Sequence, residues 1–134
     1  DKNDKKLIDD LLEWMKKNKV DYTNTFCNLM GINSDEIYKN NDFINWKNKW
    51  KKRLELNNST KEKQAKLMKE SNPTVIPRNY KVEEALAEAD KGNLDKMKKL
   101  LTILKNPYNN QSNIEEYKMP APSSNEKYQT FCGT

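Results

Sequence analysis

Apolar residues in the first part of the chain recur at spacings of three and four positions, between polar stretches. That spacing places side chains on one side of an α-helix. It predicts a helix over residues 4–18 with one broad apolar face, made of Leu7, Ile8, Leu11, Leu12, Trp14 and Met15. A second, short helix is expected over residues 24–30, capped by Asp21 or Thr23 and closed by Gly31.

The middle of the chain predicts two more helices, after a short helical turn over residues 34–37. The first covers residues 42–56, and its inner face is aromatic because Phe43, Trp46, Trp50 and Leu54 follow one another at helical spacing. Ser59 or Thr60 then caps a helix over residues 61–71, with a modest apolar contribution from Ala65, Leu67 and Met68. Asn72-Pro73 ends it, because the residue before a proline disfavours the helical conformation.

A loop closed by Pro73 and Pro77, which we call the clamp loop, leads into a predicted helical hairpin. The buried face of its first arm carries small and apolar residues, Val82, Ala85, Leu86 and Ala89. Gly92 supplies the left-handed turn, and Asn93 caps the second arm. That arm buries Leu94, Met97, Leu100, Leu101 and Leu104, and Pro107 ends it. Small residues let the two arms pack closely as an αα-hairpin.

Beyond Pro107 the sequence is polar, and we expect an extended tail with at most one helical turn near residues 114–117. The predicted fold is therefore all-α, with several amphipathic helices, a C-terminal hairpin, a polar tail and no sheet. We divide it into N-terminal helices at 1–58, the clamp loop and hairpin at 59–107, and the tail at 108–134.

Composition suggests one part of a larger protein. Only 34% of the residues are hydrophobic, below the ~45–50% of typical globular domains, so the core should be thin. The chain also begins at Asp1 without an initiator methionine. No apolar run approaches the ~20 residues that a membrane span requires, so we expect no membrane partner. With two cysteines and no secretory signal pattern, we expect a soluble protein of a reducing compartment.

The sequence offers no constellation for catalysis. It contains no histidine and only three glycines, so it has neither a histidine base nor a glycine-rich phosphate loop. We predict no catalytic, cofactor-binding or metal-binding residue in this chain.

The chain has a net charge of +5, and the stretch from Lys47 to Lys69 holds nine basic residues against two acids. This run is either a surface for nucleic acid or an acidic partner, or a solvated lysine face over buried tryptophans. The spacing favours the second interpretation, because Trp46 and Trp50 share one stripe and most lysines fall outside it. Lysine also outnumbers arginine, which bidentate nucleic-acid contacts prefer.

Three further residues deserve separate hypotheses. Arg78 either caps helix carbonyls or pairs with a carboxylate, or it recognises a bound anion or partner domain. Cys27 is expected to be a small buried apolar residue. Cys132, three residues from the end of the sequence, is either a redox-active thiol that reaches a partner cysteine or a bystander.

Several blocks, in the right order, resemble the C-terminal region of the SelO (selenoprotein O, YdiU) family. The clamp-loop block consists of Asn72-Pro73, Ile76 and Arg78-Asn79-Tyr80. The remaining blocks are Asp21 to Phe26, Trp46 with Trp50 and Arg53-Leu54, Lys91-Gly92-Asn93, Leu100-Leu101, Asn106-Pro107-Tyr108 and the closing Cys132-Gly133-Thr134.

The resemblance implies a pseudokinase-like parent enzyme that transfers AMP from ATP to serine, threonine or tyrosine hydroxyls of proteins, with Mg²⁺ or Mn²⁺. The kinase-like domain would lie N-terminal to this region, so its ATP and metal ligands are outside the chain. By position, Cys132 resembles the family's redox-linked cysteine or selenocysteine. The clamp motif would be Asn72, Pro73, Arg78, Asn79 and Tyr80.

The resemblance also implies that this chain packs on the kinase-like domain of the same protein, in the cytoplasm of a bacterium. It further implies that the protein substrates of the parent are partners and that nucleic acid is not a partner. The alternative is a freestanding basic helical module that binds nucleic acid or an acidic protein, for which a steep salt dependence of binding would be diagnostic.

Overall fold

The computed structural model describes residues 1–122. They form seven α-helices and one short 3-10 helix with no strand between them, which confirms the all-α prediction. The α-helices are α1 Lys2–Asn18, α2 Tyr22–Leu29, α3 Asn41–Glu55, α4 Lys61–Ser71, α5 Asn79–Asp90, α6 Asp95–Leu104 and α7 Glu115–Lys118, and the 3-10 helix is Glu36–Lys39. No helix among these residues is both long and apolar enough to cross a membrane.

The α-helices α1 to α4 begin where polar side chains accept hydrogen bonds from unpaired backbone N–H groups. The N-cap of α6 is Leu94 and not the predicted Asn93. Asp21 caps α2 by accepting from Asn24 N at 2.9 Å, and Thr60 caps α4 by accepting from Lys63 N at 3.2 Å. Asn40, which the sequence did not single out, caps α3 and also accepts from Trp14 Nε1 at 3.2 Å. The cap of α3 is thereby tied to the core.

The chain divides into two compact units, Asp1–Asn72 and Pro73–Thr134. The first unit has an aromatic core of Leu11, Trp14, Met15, Tyr38, Phe43 and Trp46. Phe43 is its centre, with 1% exposure and ring centroids 4.7 Å from Trp14 and 5.2 Å from Tyr38. Trp50 stacks on Trp46 at 6.1 Å, so the aromatic inner face of α3 is confirmed.

Part of the face predicted for α1 is not buried. Ile8 is 58% exposed and Leu12 is 44% exposed, whereas Leu11, Trp14 and Met15 are buried. The core of the first unit covers only the middle of the broad apolar stripe on α1, so the side chains at the edge of that stripe stay exposed to solvent. The predicted contribution of Leu67 on α4 is likewise wrong, since that side chain is 65% exposed.

The second unit is built on the predicted hairpin of α5 and α6. Gly92 has φ +87, the left-handed conformation that glycine adopts without steric cost, and it lies in the turn between the arms. The core consists of Val75, Ala85, Leu100, Ile103, Ile114 and Tyr117. The last two come from the polar segment after Pro107, and the predicted single helical turn is present there as α7.

The hairpin faces differ from the prediction at four positions. Leu86, Leu94 and Leu101 are 49%, 47% and 55% exposed, whereas Ile103, which was not predicted, is 4% exposed. Adjacent apolar residues on α6 offer two overlapping stripes, and packing against Ala85 selects the one that contains Leu100 and Ile103.

Candidate functional site

The residues quoted for the clamp motif occupy the end of α4, the loop after it and the start of α5. Asn72 ends α4 in an extended conformation, with φ −123 and ψ 112, as expected before Pro73. Its side-chain amide donates to Met68 O at 2.8 Å. Asn79 is the first residue of α5 and is half-buried, next to the buried Arg78.

The loop binds the segment that follows the hairpin, residues 107–119, which we call the strap. Thr74 is 1% exposed, and its backbone N–H donates to Pro107 O at 2.7 Å. Its hydroxyl lies 2.8 Å from Asn109 O and 3.1 Å from Pro107 O. A hydroxyl carries one proton, so it donates to one of the two carbonyls at a time. The beginning of the strap is therefore fixed from inside the unit.

The end of the strap is held through backbone carbonyls around α7. Arg78, only 4% exposed, donates from Nη2 to Lys118 O at 3.1 Å. The hydroxyl of Tyr80 lies 2.7 Å from Met119 O and 3.2 Å from Glu116 O. The last carbonyls of a helix have no partner within it, so these side chains supply what a four-residue helix cannot. The contact of Arg78 with Lys118 O is the capping of a helix carbonyl that the first hypothesis for Arg78 describes.

We call Thr74, Arg78, Tyr80 and Lys81 together the clasp, because all four bind the strap. Lys81 contributes charge: its amine lies 3.1 Å from Glu116 Oε2 and 3.6 Å from Glu84 Oε2. Burial lowers the pKa of Lys81, but the hydrogen bond to Glu116 and the nearby carboxylates outweigh it, and the pKa is raised. Lys81 is thus held in its charged form.

A groove of about 190 Å³ lies beside the clasp, between the two arms of the hairpin and α7. Its lining includes an ion pair in which the amine of Lys96 lies 2.6 Å from Glu84 Oε1, and it also includes the ring of Tyr117. The amines of Lys81 and Lys99 lie 5.3 and 5.7 Å from the centre of the Tyr117 ring, in cation–π geometry. The hydrogen bond from Lys96 lowers the pKa of Glu84.

Thr74, Lys81 and Glu116 were not predicted. Thr74 has no distinctive sequence pattern, and Lys81 is one of many lysines. The one available clue was the spacing of Ile114 and Tyr117, three residues apart in a polar segment, which puts both on one side of a helical turn.

The basic run of the first unit has a tryptophan beneath it. Trp46 is 7% exposed and donates from Nε1 to Leu7 O at 2.8 Å. Lys47 donates to Asn28 Oδ1 at 3.2 Å, and burial lowers its pKa. Arg53 pairs with Asp4 of α1. Two of these cations thus bind within the unit, which matches the interpretation of a lysine face over buried tryptophans.

The two cysteines differ in what the structure shows. Cys27 is 2% exposed, which confirms the prediction of a buried residue. Cys132 lies outside the described residues. Within residues 1–122, no group of three or more histidine, cysteine, aspartate or glutamate side chains could hold a metal ion.

Comparison with known proteins places the chain in a family. The model described as "Protein adenylyltransferase SelO" matches residues 1–105. Proteins named protein nucleotidyltransferase YdiU are similar to the whole chain: 54% identical over 136 residues in Pelagibacter ubique, 49% over 138 in Clostridium botulinum and 42% over 137 in Bacillus cereus. Each alignment covers 100% of this chain and 28% of the relative, so the chain spans less than a third of these relatives. Since the family model matches well over half of its residues, the chain belongs to the SelO family.

Proposed function

We propose that this chain is the C-terminal helical module of a protein adenylyltransferase. The observation that carries the proposal is the match of the adenylyltransferase model to residues 1–105, combined with the 28% share of the relatives that the chain covers. A module of this kind transfers nothing by itself. The parent moves AMP from ATP to a protein hydroxyl: the hydroxyl oxygen bonds to the α-phosphorus, and pyrophosphate leaves.

ATP and the metal ion belong, in this proposal, to the kinase-like part outside the chain. The described residues contain no group that fits Mg²⁺ or Mn²⁺. When bound, the metal would neutralise phosphate charge during transfer. The described residues contribute a folded surface and a fixed C-terminal strap.

The module would act by packing on the kinase-like part. Ile8 and Leu12 lie one turn apart on α1, and both are exposed although the pattern of the helix predicts burial. A covering surface from the same protein would remove such residues from water. The clasp, in turn, fixes the chain as far as Met119, whose carbonyl accepts from the hydroxyl of Tyr80.

The test is ATP-dependent AMP transfer with labelled ATP and Mg²⁺ or Mn²⁺. Three proteins are compared: the full-length product, this chain alone, and the full-length product without the residues of this chain. We expect AMP transfer by the full-length protein and by neither of the other two proteins. Transfer by this chain alone would overturn the module assignment, and no transfer by the full-length protein would overturn the activity.

For Cys132 we propose a redox latch. In it the thiols of Cys132 and of a cysteine in the kinase-like part exchange with a small disulfide, which leaves as two thiols, and a protein disulfide forms. The full-length protein should then differ in activity between oxidised and reduced glutathione. Cys132→Ser should abolish the difference, whereas Cys27→Ala, at a buried position, should retain it. An undiminished redox response in Cys132→Ser would rule out the latch.

A further inference from the structure

The two arms of the hairpin have distinct sides that follow from helix geometry. One residue along an α-helix corresponds to a rotation of about 100°. Leu86 follows the buried Ala85 by one position, and Leu101 follows the buried Leu100 by one. Each exposed leucine is therefore rotated from the core by the same angle in the same sense. Because the arms run antiparallel, equal rotations bring both leucines to the same side of the hairpin.

The opposite side provides a check on this geometry. Glu84 and Lys99 precede Ala85 and Leu100 by one position, so they should lie together on the other side. Glu84 and Lys99 do lie on the same side, since both line the groove that α7 also lines. The salt bridge between Glu84 and Lys96 confirms that the arms meet there. One side of the hairpin thus carries charged residues, including the exposed Lys99, that line the groove beside α7, and the other side carries the leucines.

Leu94, the N-cap residue immediately before α6, is the third exposed leucine of the hairpin. We call Leu86, Leu94 and Leu101 the leucine face. The three side chains are 47–55% exposed. Exposed charged residues of both signs lie close to the leucines in angle around the helix axes: Glu83, Asp90, Lys98 and Lys105. An apolar centre with a polar rim is the usual composition of a protein interface.

We infer that the leucine face is a docking surface for the part of the same polypeptide that lies outside this chain. The inference rests on the proposed function, since it assigns the contact to the kinase-like part. Length supports this occupant: about three quarters of each matched relative lies outside the region that the chain covers. The family model also spans residues 1–105, and so includes all three leucines.

The experiment measures thiol accessibility in the full-length protein, with its other cysteines replaced by serine or alanine. Leu86→Cys and Leu101→Cys are labelled with a maleimide in the native state and again in urea, so that each variant is its own reference. Lys99→Cys, on the opposite side of the same hairpin, is the matched control. If circular dichroism shows that Leu86→Cys or Leu101→Cys does not fold, Leu94→Cys is used in its place.

We expect labelling at both leucine positions to be at least about 100-fold slower in the native protein than in urea, and labelling of Lys99→Cys to be slowed by less than about tenfold. Fast native labelling at the leucine positions would overturn the inference, as would equal protection of Lys99→Cys. Protection that disappears on dilution would assign the face to a second copy and would also overturn it. Protected leucine positions in a full-length protein without AMP transfer would refute the activity and leave this interface standing.

Discussion

Replacing Thr74 by valine should loosen the strap without changing the shape of the side chain. Thr74 is buried, and its hydroxyl lies within hydrogen-bond distance of the carbonyls of Pro107 and Asn109. Valine has the same branching but no donor. The backbone N–H of residue 74 still donates to Pro107 O, so Pro107 O keeps a donor whereas Asn109 O loses its side-chain donor.

The size of the effect follows from that difference. A hydrogen bond contributes about 0.5–1.5 kcal/mol net, and a buried acceptor left without a donor costs about 1–3 kcal/mol. Asn109 is an exposed residue, and water can solvate part of its carbonyl, so the lower end applies. We expect the free energy of opening of the strap to fall by about 1 kcal/mol, which is roughly a fivefold change in its opening equilibrium.

Hydrogen exchange with mass spectrometry on this chain measures that equilibrium locally. Peptides from residues 107–119 should exchange about fivefold faster in Thr74→Val than in the wild type. Thr102→Val is the matched control, because Thr102 is exposed and its hydroxyl donates only to Lys98 O within α6. Unchanged exchange of the strap in Thr74→Val, or the same acceleration in Thr102→Val, would refute the role given to the Thr74 hydroxyl.

Three further perturbations test the first unit. Phe43→Ala should lower the free energy of unfolding by about 3–5 kcal/mol, measured by tryptophan fluorescence, whereas Ile44→Ala, at a 40% exposed neighbour, should cost far less. The hydrogen bond from Arg53 lowers the pKa of Asp4, so its stabilisation is present above pH 3.8 and is lost as the pH falls through the lower pKa of the folded state. Asp4→Asn should therefore destabilise the protein at pH 7, and this destabilisation should become smaller as the pH falls below 3.8. Burial raises the pKa of Tyr38 from 10.0 to about 12, so stability should fall as the pH rises above 10, and Tyr38→Phe should remove that part of the loss in a denaturant titration.

The helices and several of their ends were predictable because their signals are local. A side chain at Asp21 or Thr60 accepts from a backbone N–H three residues on, so the cap is contained in four residues of sequence. Gly92 is similar, since a left-handed turn between two apolar stripes requires nothing from the rest of the chain.

The clasp was not predictable in the same way, because its partners are distant in sequence. Thr74 meets Asn109 across 35 positions, and Arg78 meets Lys118 across 40. Their acceptors are backbone carbonyls, which every residue possesses and which leave no trace in the sequence. Only the loop and its proline spacing could indicate that something is held there, and the resemblance to the SelO family pointed to two of the four clasp residues, Arg78 and Tyr80.

Most errors about burial on α1 and in the hairpin share one direction. Ile8, Leu12, Leu86, Leu94 and Leu101 were all predicted to be buried, and all five are exposed in this chain. Random errors would also include residues that were not predicted to be buried and are buried, and Ile103 is one such residue. An apolar stripe wider than the core of its own unit is expected when the sequence was selected in a longer protein, where further surfaces cover the edge of the stripe. Under the proposed function, the predicted burial would describe the assembled protein, and the five exposed side chains would be where its remaining part makes contact.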